Sequence, residues 1–190
     1  FKASHWFETV LKEGFVSSNL GKFVEFREIA NIQIKKILTW NKIKYDKEIL
    51  NFLLDGFSFL KAHPDIKPAF ELLNNKKINI VTLTNGPRKN TENLLKNNNI
   101  DKFVSRCFSI EEVQVWKPNV KPYQFVLKKM KTEPSQSLMI AAHGWDLEGA
   151  KSLGIKTGFI NRYELWVNKY YTPPDFSSDN AIDLVKKIID

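Results

Sequence analysis

The feature that most constrains the fold is the alternation, after about residue 66, of short apolar runs with longer amphipathic segments. Three runs have the length and apolar character of strands buried in a parallel sheet: 78–84, 138–142 and 156–161. A further short strand is predicted at 104–109. Five segments have apolar residues at helical spacing: 67–75, 87–97, 120–130, 145–154 and 181–190. Strands separated by helices of about 10–13 residues form a parallel sheet that is covered on both faces. The sequence therefore predicts an α/β core.

The first part of the chain lacks this alternation and shows helical periodicity only, which predicts a block of packed helices. The segment 61–69 (KAHPDIKPA) then interrupts the periodicity with two prolines, and we interpret it as a domain junction. We therefore divide the chain into a helical domain, residues 1–62, and an α/β core, residues 63–190. His63 lies in the junction, where a surface position is expected.

The overall charge does not by itself predict a nucleic-acid partner. The net charge is +8, but the lysines are spread among asparagines and acidic residues, and no basic stripe alternates with aromatic residues. We expect a solvated basic surface that attracts small anions. No run of about 18 apolar residues predicts a membrane span, and the single cysteine, Cys107, is typical of a reducing compartment. These features predict a cytoplasmic protein without nucleic-acid or membrane partners.

Polar clusters follow the predicted strands, and the carboxyl ends of parallel strands open on one edge of the sheet. In the first cluster, Thr84–Gly86, the Thr84 hydroxyl and the N–H groups of the next helix can hold an anion, although Thr-Asn-Gly is also a common turn. The second cluster places Lys117 directly before Pro118, which favours an extended backbone at the lysine, and Tyr123 follows. A surface lysine in a loop is the alternative interpretation.

The third cluster lies at 141–154 (AAHGWDLEGAKSLG), where an apolar strand is followed by a helix. His143, Trp145 and Asp146 stand at the turn between them, and Gly154 is expected to end the helix. Asp146 is a candidate site residue, but an aspartate near a helix N-terminus also caps the helix and complements its dipole. Both interpretations of Asp146 stay open on spacing alone.

The order of the three clusters is more specific than any one of them. A hydroxyl residue after a strand, a lysine about 30 residues later and an acid about 30 residues after that resemble the haloacid dehalogenase superfamily. The segments 83–86 (LTNG), 115–123 (VWKPNVKPY) and 141–154 resemble the second, third and fourth motifs of its L-2-haloacid dehalogenase (type II) branch. The resemblance covers nearly the whole chain, since residues 1–62 resemble the helical cap of that branch. It implies a Rossmann-like parallel sheet core with a helical cap.

In that branch an aspartate attacks the carbon that bears the halogen and forms an ester, which water then hydrolyses. The resemblance implies that Thr84 and Asn85 hold the nucleophile or its developing charge, and that Lys117 neutralises the carboxylates. It also implies that Asp146 orients Lys117 and the hydrolytic water. These four residues are the predicted catalytic residues.

The resemblance further implies a small pocket for an anionic substrate, a small 2-haloalkanoic acid or a related anion. Tyr123, His143 and Trp145 are the predicted substrate-binding residues, with Trp145 as an apolar wall that keeps the site dry. At this point of the fourth motif, the segment of the best-known dehalogenases resembles Ser-Ser-Asn-x-Trp-Asp, whereas this chain has Ala-Ala-His-Gly-Trp-Asp. His143 therefore replaces an amide and leaves the substrate open. A homodimer is the assembly that we consider.

Phosphatases of the same superfamily place an acidic metal ligand at the position that matches Ala142, because Mg²⁺ requires hard oxygen ligands. An alanine side chain has no such oxygen, and of the paired acidic ligand positions only Asp146 remains. We therefore predict that the site binds no metal and needs no cofactor.

The superfamily's first motif, an aspartate in a D-x-x-G-T context, does not occur in the 190 residues. Asp55-Gly56 lies in the helical block and does not match it, and Arg27 is not assigned the role of the branch's cap arginine. We expect the first core strand and the nucleophilic aspartate to be missing, which leaves a slot in the sheet and an inactive chain. The alternatives are a superfamily phosphatase and an inactive truncated protein that keeps the fold.

Overall fold

A computed structural model describes residues 3–164 and 166–190. The α-helices in these ranges are α1 (Ala3–Asn19), α2 (Phe26–Trp40), α3 (Lys47–Asp55), α4 (Ile66–Asn75), α5 (Arg88–Asn97), α6 (Val120–Met130), α7 (Gly144–Lys151) and α8 (Ala181–Ile189). The strands are β1 (Ile80–Thr84), β2 (Val104–Ser109), β3 (Leu138–Ala141), β4 (Lys156–Ile160) and β5 (Phe176–Ser178). The predicted α/β class, with strands and helices alternating after residue 66, is confirmed.

Helices α1–α3, which we call the helical cap, pack on one another through their apolar faces. Val10 and Ala30 are fully buried between α1 and α2, and Trp6 Nε1 donates to the Ala30 carbonyl oxygen over 3.2 Å. The same apolar cluster includes two residues that follow β2, Ile110 and Trp116. The helical cap therefore covers the segment of the core that leads into α6. The domain boundary at residue 62 stays a prediction.

Trp116 joins the core to the helical cap. Its Nε1 donates to the Val24 carbonyl oxygen over 2.9 Å, and its ring stacks on Phe26 with the centroids 6.0 Å apart. A Cβ atom at Gly14 would overlap the Trp116 ring, so α1 approaches the indole at a position where only glycine fits. This packing holds the residue next to Lys117 in place.

The described strands are all parallel and form two ladders. β1 pairs with β2, ending at Thr84 beside Ser109, and β4 pairs with both β3 and β5. No backbone ladder joins β1 to β3 among the described residues. The parallel pairing that was predicted from the alternating pattern is confirmed, and the carboxyl ends of β1 and β3 both lead into the candidate site.

Both ladders lie between the same two layers of helices. On one face, Ile80 of β1 and Ile140 of β3 contact the apolar cluster of α4 and α8. On the other face, Leu83 of β1 and Met139 of β3 contact the cluster of α6 and α7. The two ladders thus belong to a single layer, and the break between β1 and β3 lies where the predicted slot would be. That a core strand is missing stays a prediction.

The structure differs from the sequence-based expectation at several element ends. β5 was not expected, because a strand of three residues is too short to show a period of two. Pro87 precedes α5, which begins at Arg88, although the predicted helix began at Pro87. α7 ends at Lys151, so Gly154, with a φ of 80°, lies beyond the helix end. Such ends depend on contacts that periodicity does not encode.

Candidate active site

The loop before α6 and the first turn of α7 bring Lys117 and Asp146 into contact. Lys117 Nζ donates to Asp146 Oδ2 over 2.7 Å and to the Leu83 carbonyl oxygen of β1 over 2.9 Å. Lys117 is 5% exposed and Asp146 is 6% exposed. A charge-assisted hydrogen bond of this length between buried groups is strong and fixes both side chains. The structure therefore places these two predicted catalytic residues side by side.

Tyr123 of α6 binds the other side of the same carboxylate. Its hydroxyl donates to Asp146 Oδ1 over 2.6 Å and lies 3.0 Å from the Asp146 carbonyl oxygen. Burial, and then the negative charge of Asp146, raise the pKa of the Tyr123 hydroxyl, so this group stays a neutral donor. Lys117, Asp146 and Tyr123, which we call the inner cluster, thus form one buried hydrogen-bond network.

A glycine of α7 allows the two elements to approach. A Cβ atom at Gly149 would lie 2.5 Å from the Pro118 carbonyl oxygen and 2.8 Å from the Tyr123 hydroxyl oxygen. Any side chain at this position would push α7 away from the loop that carries Lys117. The short Lys117–Asp146 distance therefore depends on the glycine in the sequence DLEGAK.

The turn after β1 is held by its own side chains. Thr84 Oγ1 accepts a hydrogen bond from Gly86 N–H over 2.9 Å, and Asn85 Oδ1 accepts one from Lys117 N–H over 3.0 Å. Asn85 is 8% exposed, and its Nδ2 has no hydrogen-bond partner among the residues that the structure describes. A buried amide donor without a partner is costly in a folded protein. It is a candidate donor to a bound anion.

A cavity of about 290 Å³ opens beside these groups, between the helical cap and the strand ends. Its polar lining comes from Thr84, Asn85, Asn90, Thr91, Lys117, His143 and Asp146. The apolar lining comes mainly from α1, α2, α5 and the segment after α3: Phe7, Leu11, Phe26, Phe57, Leu60, Leu94 and Trp145. All the predicted site residues except Tyr123 therefore lie at one cavity that faces the helical cap.

His143 contributes to this cavity from the turn after β3. Its Nδ1 lies 3.2 Å from Glu164 Oε1, and Glu164 Oε2 accepts a hydrogen bond from Gly144 N–H over 3.0 Å. The imidazole stacks on Trp145 and on Tyr163, with ring centroids 5.7 Å and 6.3 Å apart. The side chains of His143 and Glu164 are 33% and 31% exposed. We call His143, Glu164 and Tyr163 the outer cluster.

The contacts of Asp146 and Lys117 distinguish between the alternatives that the sequence left open for these two residues. The Asp146 carboxylate binds Lys117 and Tyr123, and His143 occupies the N-cap position of α7, so Asp146 is not the helix cap. Lys117 is buried rather than a surface loop lysine. Tyr123 is 2% exposed and lies under Asp146, so its predicted contact with substrate stays a prediction. His63 is exposed, as expected, and its Nε2 lies 3.1 Å from Tyr163 Oη.

Sequence reasoning missed Glu164. The residue follows β4 in a loop without periodicity, and nothing in its local sequence links it to His143, 21 positions earlier. The one available signal was its place after a parallel strand, at the edge of the sheet where the other site residues lie.

The described residues offer little to a metal ion. They contain no group of three or more His, Cys, Asp or Glu side chains that could hold one, and both Asp146 oxygens already accept hydrogen bonds. Ala142 supplies no oxygen ligand from its side chain. The predicted absence of a metal and of a cofactor stays a prediction.

Two further features lie outside this site. A more open groove of about 750 Å³ runs between α2 and α3, lined by Arg27, Asn31, Tyr45 and neighbouring residues, and none of the strand-end residues borders it. None of the described helices combines the length and the apolar character needed to cross a membrane.

Known proteins resemble this chain over most of its length. The family model of the haloacid dehalogenase-like hydrolases matches residues 5–160. The (S)-2-haloacid dehalogenase 1 of Pseudomonas sp. (strain CBS-3) is 24% identical over 160 residues, which cover 84% of this chain and 70% of that protein.

Solved structures show the same fold. The L-2-haloacid dehalogenase from Xanthobacter autotrophicus with chloropropionic acid covalently bound superposes with a TM-score of 0.89 at 18% identity, covering 97% of this chain and 84% of that one. A HAD phosphatase from Thermococcus onnurineus reaches a TM-score of 0.63 at 22% identity, covering 95% and 91%. The arrangement of helical cap and core is therefore closer to the dehalogenase than to this phosphatase.

Proposed function

Because this chain belongs to the haloacid dehalogenase-like hydrolases, in the type II branch of the L-2-haloacid dehalogenases, we propose that it acts on a small 2-haloalkanoic acid. In the proposed reaction, an aspartate carboxylate displaces halide from carbon 2 and forms an ester, and water hydrolyses the ester to a 2-hydroxy acid. The relatives whose names include 2-haloacid dehalogenase support this substrate class.

The observation that carries the proposal is the buried Lys117–Asp146 pair at the wall of the cavity. An ammonium group has three N–H donors, and two of those of Lys117 are used by Asp146 and Leu83. The third N–H of Lys117 and the unpartnered Nδ2 of Asn85 are therefore available to an anion in the cavity. Both donors are held by the fold before any substrate binds, as electrostatic stabilisation of developing charge requires.

The apolar wall supports the second half of the proposal. Phe7, Leu11 and Trp145 line the cavity together with its polar groups. Such a wall excludes water from the halogen-bearing carbon and strengthens the electrostatic contacts of the site. Ligand pockets usually have volumes of about 300–1,000 Å³. The volume of this cavity, about 290 Å³, lies at the lower end of that range. A short haloacid suits this volume better than a large substrate.

We propose that the nucleophilic carboxylate is not one of the described side chains. Asp146 is the single acidic residue in the lining of the cavity, and hydrogen bonds from Lys117 and Tyr123 hold its two oxygens. Attack by Asp146 on a substrate carbon would break one of these bonds. The 190 residues by themselves are therefore proposed to be inactive, and the role of Asp146 is to position Lys117.

The test is halide release from each enantiomer of 2-chloropropionate, measured for the 190-residue chain and for the protein expressed from its complete reading frame. We expect halide from the second protein only, with a rate that does not change when a chelator is added. Chelator-sensitive hydrolysis of phosphate monoesters would instead assign the protein to the superfamily phosphatases. If the complete protein shows neither activity, it is an inactive protein that keeps the fold, and the proposed function is wrong.

A further inference from the structure

We propose that His143, oriented by Glu164, is the base that takes a proton from the water that hydrolyses the ester. This inference rests on the proposed function, and it adds a proton acceptor that the resemblance to the dehalogenases does not supply. It starts from one contact, Nδ1 of His143 lying 3.2 Å from Glu164 Oε1.

Glu164 fixes which ring nitrogen of His143 carries the proton. Glu164 Oε2 accepts Gly144 N–H over 3.0 Å, so its Oε1 is held in place beside His143 Nδ1. A carboxylate accepts hydrogen bonds, and therefore the neutral imidazole keeps its proton on Nδ1 and has a lone pair on Nε2. His143 lines the cavity, and Nε2 is the ring nitrogen that Glu164 does not bind.

Aromatic packing fixes the plane of the ring. Trp145 and Tyr163 both stack on the imidazole, with interplanar angles of 16° and 18°. The Phe7 ring approaches it from the helical cap, with the centroids 6.4 Å apart. A base that is held in one plane needs little reorganisation when it receives a proton, which is the purpose of positioning in catalysis.

The other titratable groups of the cavity are already engaged. Lys117, His143 and Asp146 are the titratable residues in the described lining. Lys117 donates to Asp146 and to Leu83 and has no lone pair as an ammonium group. Each Asp146 oxygen accepts a short bond, at 2.7 Å and 2.6 Å, so protonation of Asp146 would disrupt the inner cluster. Nε2 of His143 is the acceptor that remains.

The water oxygen bonds to the acyl carbon of the enzyme ester while one water proton moves to His143 Nε2, which gives an imidazolium beside the Glu164 carboxylate. The tetrahedral intermediate then breaks its bond to the 2-hydroxy acid oxygen, and Nε2 returns the proton to that leaving alkoxide. The regenerated enzyme carboxylic acid releases its proton to solvent, so His143 ends unchanged.

The kinetic test uses the protein expressed from its complete reading frame and follows a single turnover of 2-chloropropionate. In His143→Asn we expect halide still to be released in the first turnover, followed by ester hydrolysis that is slower by about 10²-fold than in the wild type, within the usual range for general base catalysis. The ester accumulates and is measured as a covalent mass increase on the protein. Added imidazole restores hydrolysis in His143→Ala.

Glu164→Gln and Glu148→Gln form a matched pair. Each substitution removes a carboxylate that accepts a backbone N–H: Glu164 accepts from Gly144 over 3.0 Å, and Glu148 accepts from Thr172 over 2.7 Å. Of these two glutamates, only Glu164 contacts the His143 imidazole. We expect accumulated ester in Glu164→Gln and none in Glu148→Gln. Equal behaviour of the two variants would show that Glu164 only anchors the loop, and would overturn its positioning role.

A spectroscopic test uses the folded protein without substrate. Nitrogen-15 NMR of the imidazoles, with the His143 signals assigned by their loss in His143→Asn, is expected to show the proton on Nδ1 in the neutral form. A proton on Nε2 would overturn the inference. No halide from the wild type would overturn the proposed function and this step with it, whereas halide release without accumulated ester in His143→Asn would overturn this step alone.

Discussion

The inner cluster reaches the cavity through Lys117 and Asp146 and the outer cluster through His143, but the two clusters differ in burial. Lys117 and Asp146 are 6% and 9% exposed at the side chain and lie 2.7 Å apart, whereas His143 and Glu164 are 33% and 31% exposed and lie 3.2 Å apart. Burial in the inner cluster requires that every charge keeps its partner, since an unpaired buried charge is very costly. The outer cluster has access to solvent and tolerates a change of charge during a reaction.

This difference in burial suits the two clusters to different tasks. A rigid, fully paired network suits fixed electrostatic support, because its groups neither move nor exchange protons readily. A partly exposed imidazole–carboxylate pair suits proton transfer, because water stabilises either protonation state.

The largest effect is expected from Asp146→Asn. The substitution leaves the Lys117 ammonium buried without a counter-charge, and breaking a buried pair in this way costs about 3–5 kcal/mol. The measurement is urea unfolding of the 190-residue chain. The control is Asp55→Asn, which breaks an exposed pair with Arg27 and is expected to cost about 0–1 kcal/mol. Equal losses in the two variants would contradict the structural importance of the inner cluster.

Gly149→Ala is expected to cost about 1–3 kcal/mol, the usual range for overpacking. The new Cβ would lie 2.5 Å from the Pro118 carbonyl oxygen, so α7 must move away from Lys117. Gly56→Ala is the control, because a Cβ there meets no atom within 4 Å. Thermal unfolding of both variants checks the prediction, and an unchanged melting temperature for Gly149→Ala would show that α7 is not closely docked.

Tyr123→Phe removes the donor to Asp146 Oδ1 while keeping the ring, and we expect a loss of about 1–3 kcal/mol from the unsatisfied oxygen. Tyr163→Phe removes a hydroxyl of the outer cluster that contacts exposed His63, and we expect a change within about 0.5 kcal/mol. Urea unfolding compares the two variants. A larger loss in Tyr163→Phe would reverse the contrast between the clusters.

The smallest effect is a pH dependence at the junction between helical cap and core. Burial alone raises the pKa of Asp65, but hydrogen bonds from Ala181 N–H and Arg162 outweigh it and hold that pKa below its ordinary value of 3.8. The stabilisation is therefore present above about pH 4 and is lost as the pH falls through the lower pKa of the folded state.

Asp65→Asn is expected to be less stable than the wild type at neutral pH and to lose less stability on acidification. Melting temperatures recorded between about pH 6 and pH 3 give the two slopes. Parallel slopes would show that the Asp65–Arg162 pair, whose side chains are 13% and 15% exposed, contributes no pH dependence.

Local patterns determined most of the secondary structure and the membership of the inner cluster. Helical and strand periodicity is encoded within about ten to eighteen consecutive residues, so α4, α6, β2 and α8 lie close to their predicted positions. Lys117 and Asp146 were identified because they follow strands that must end on one edge of a parallel sheet. The order of the three motifs then indicated the family.

Tertiary structure decided what depends on residues far apart in the chain. The pairing of Glu164 with His143 and the role of Tyr123 as a donor to Asp146 arise from contacts across 21 and 23 positions. The sequence left open whether Asp146 capped its helix or paired with a cation, because both roles favour the same position in the first turn. Only the close approach of α7 to Pro118, made possible by Gly149, places the Lys117 ammonium within reach of that carboxylate.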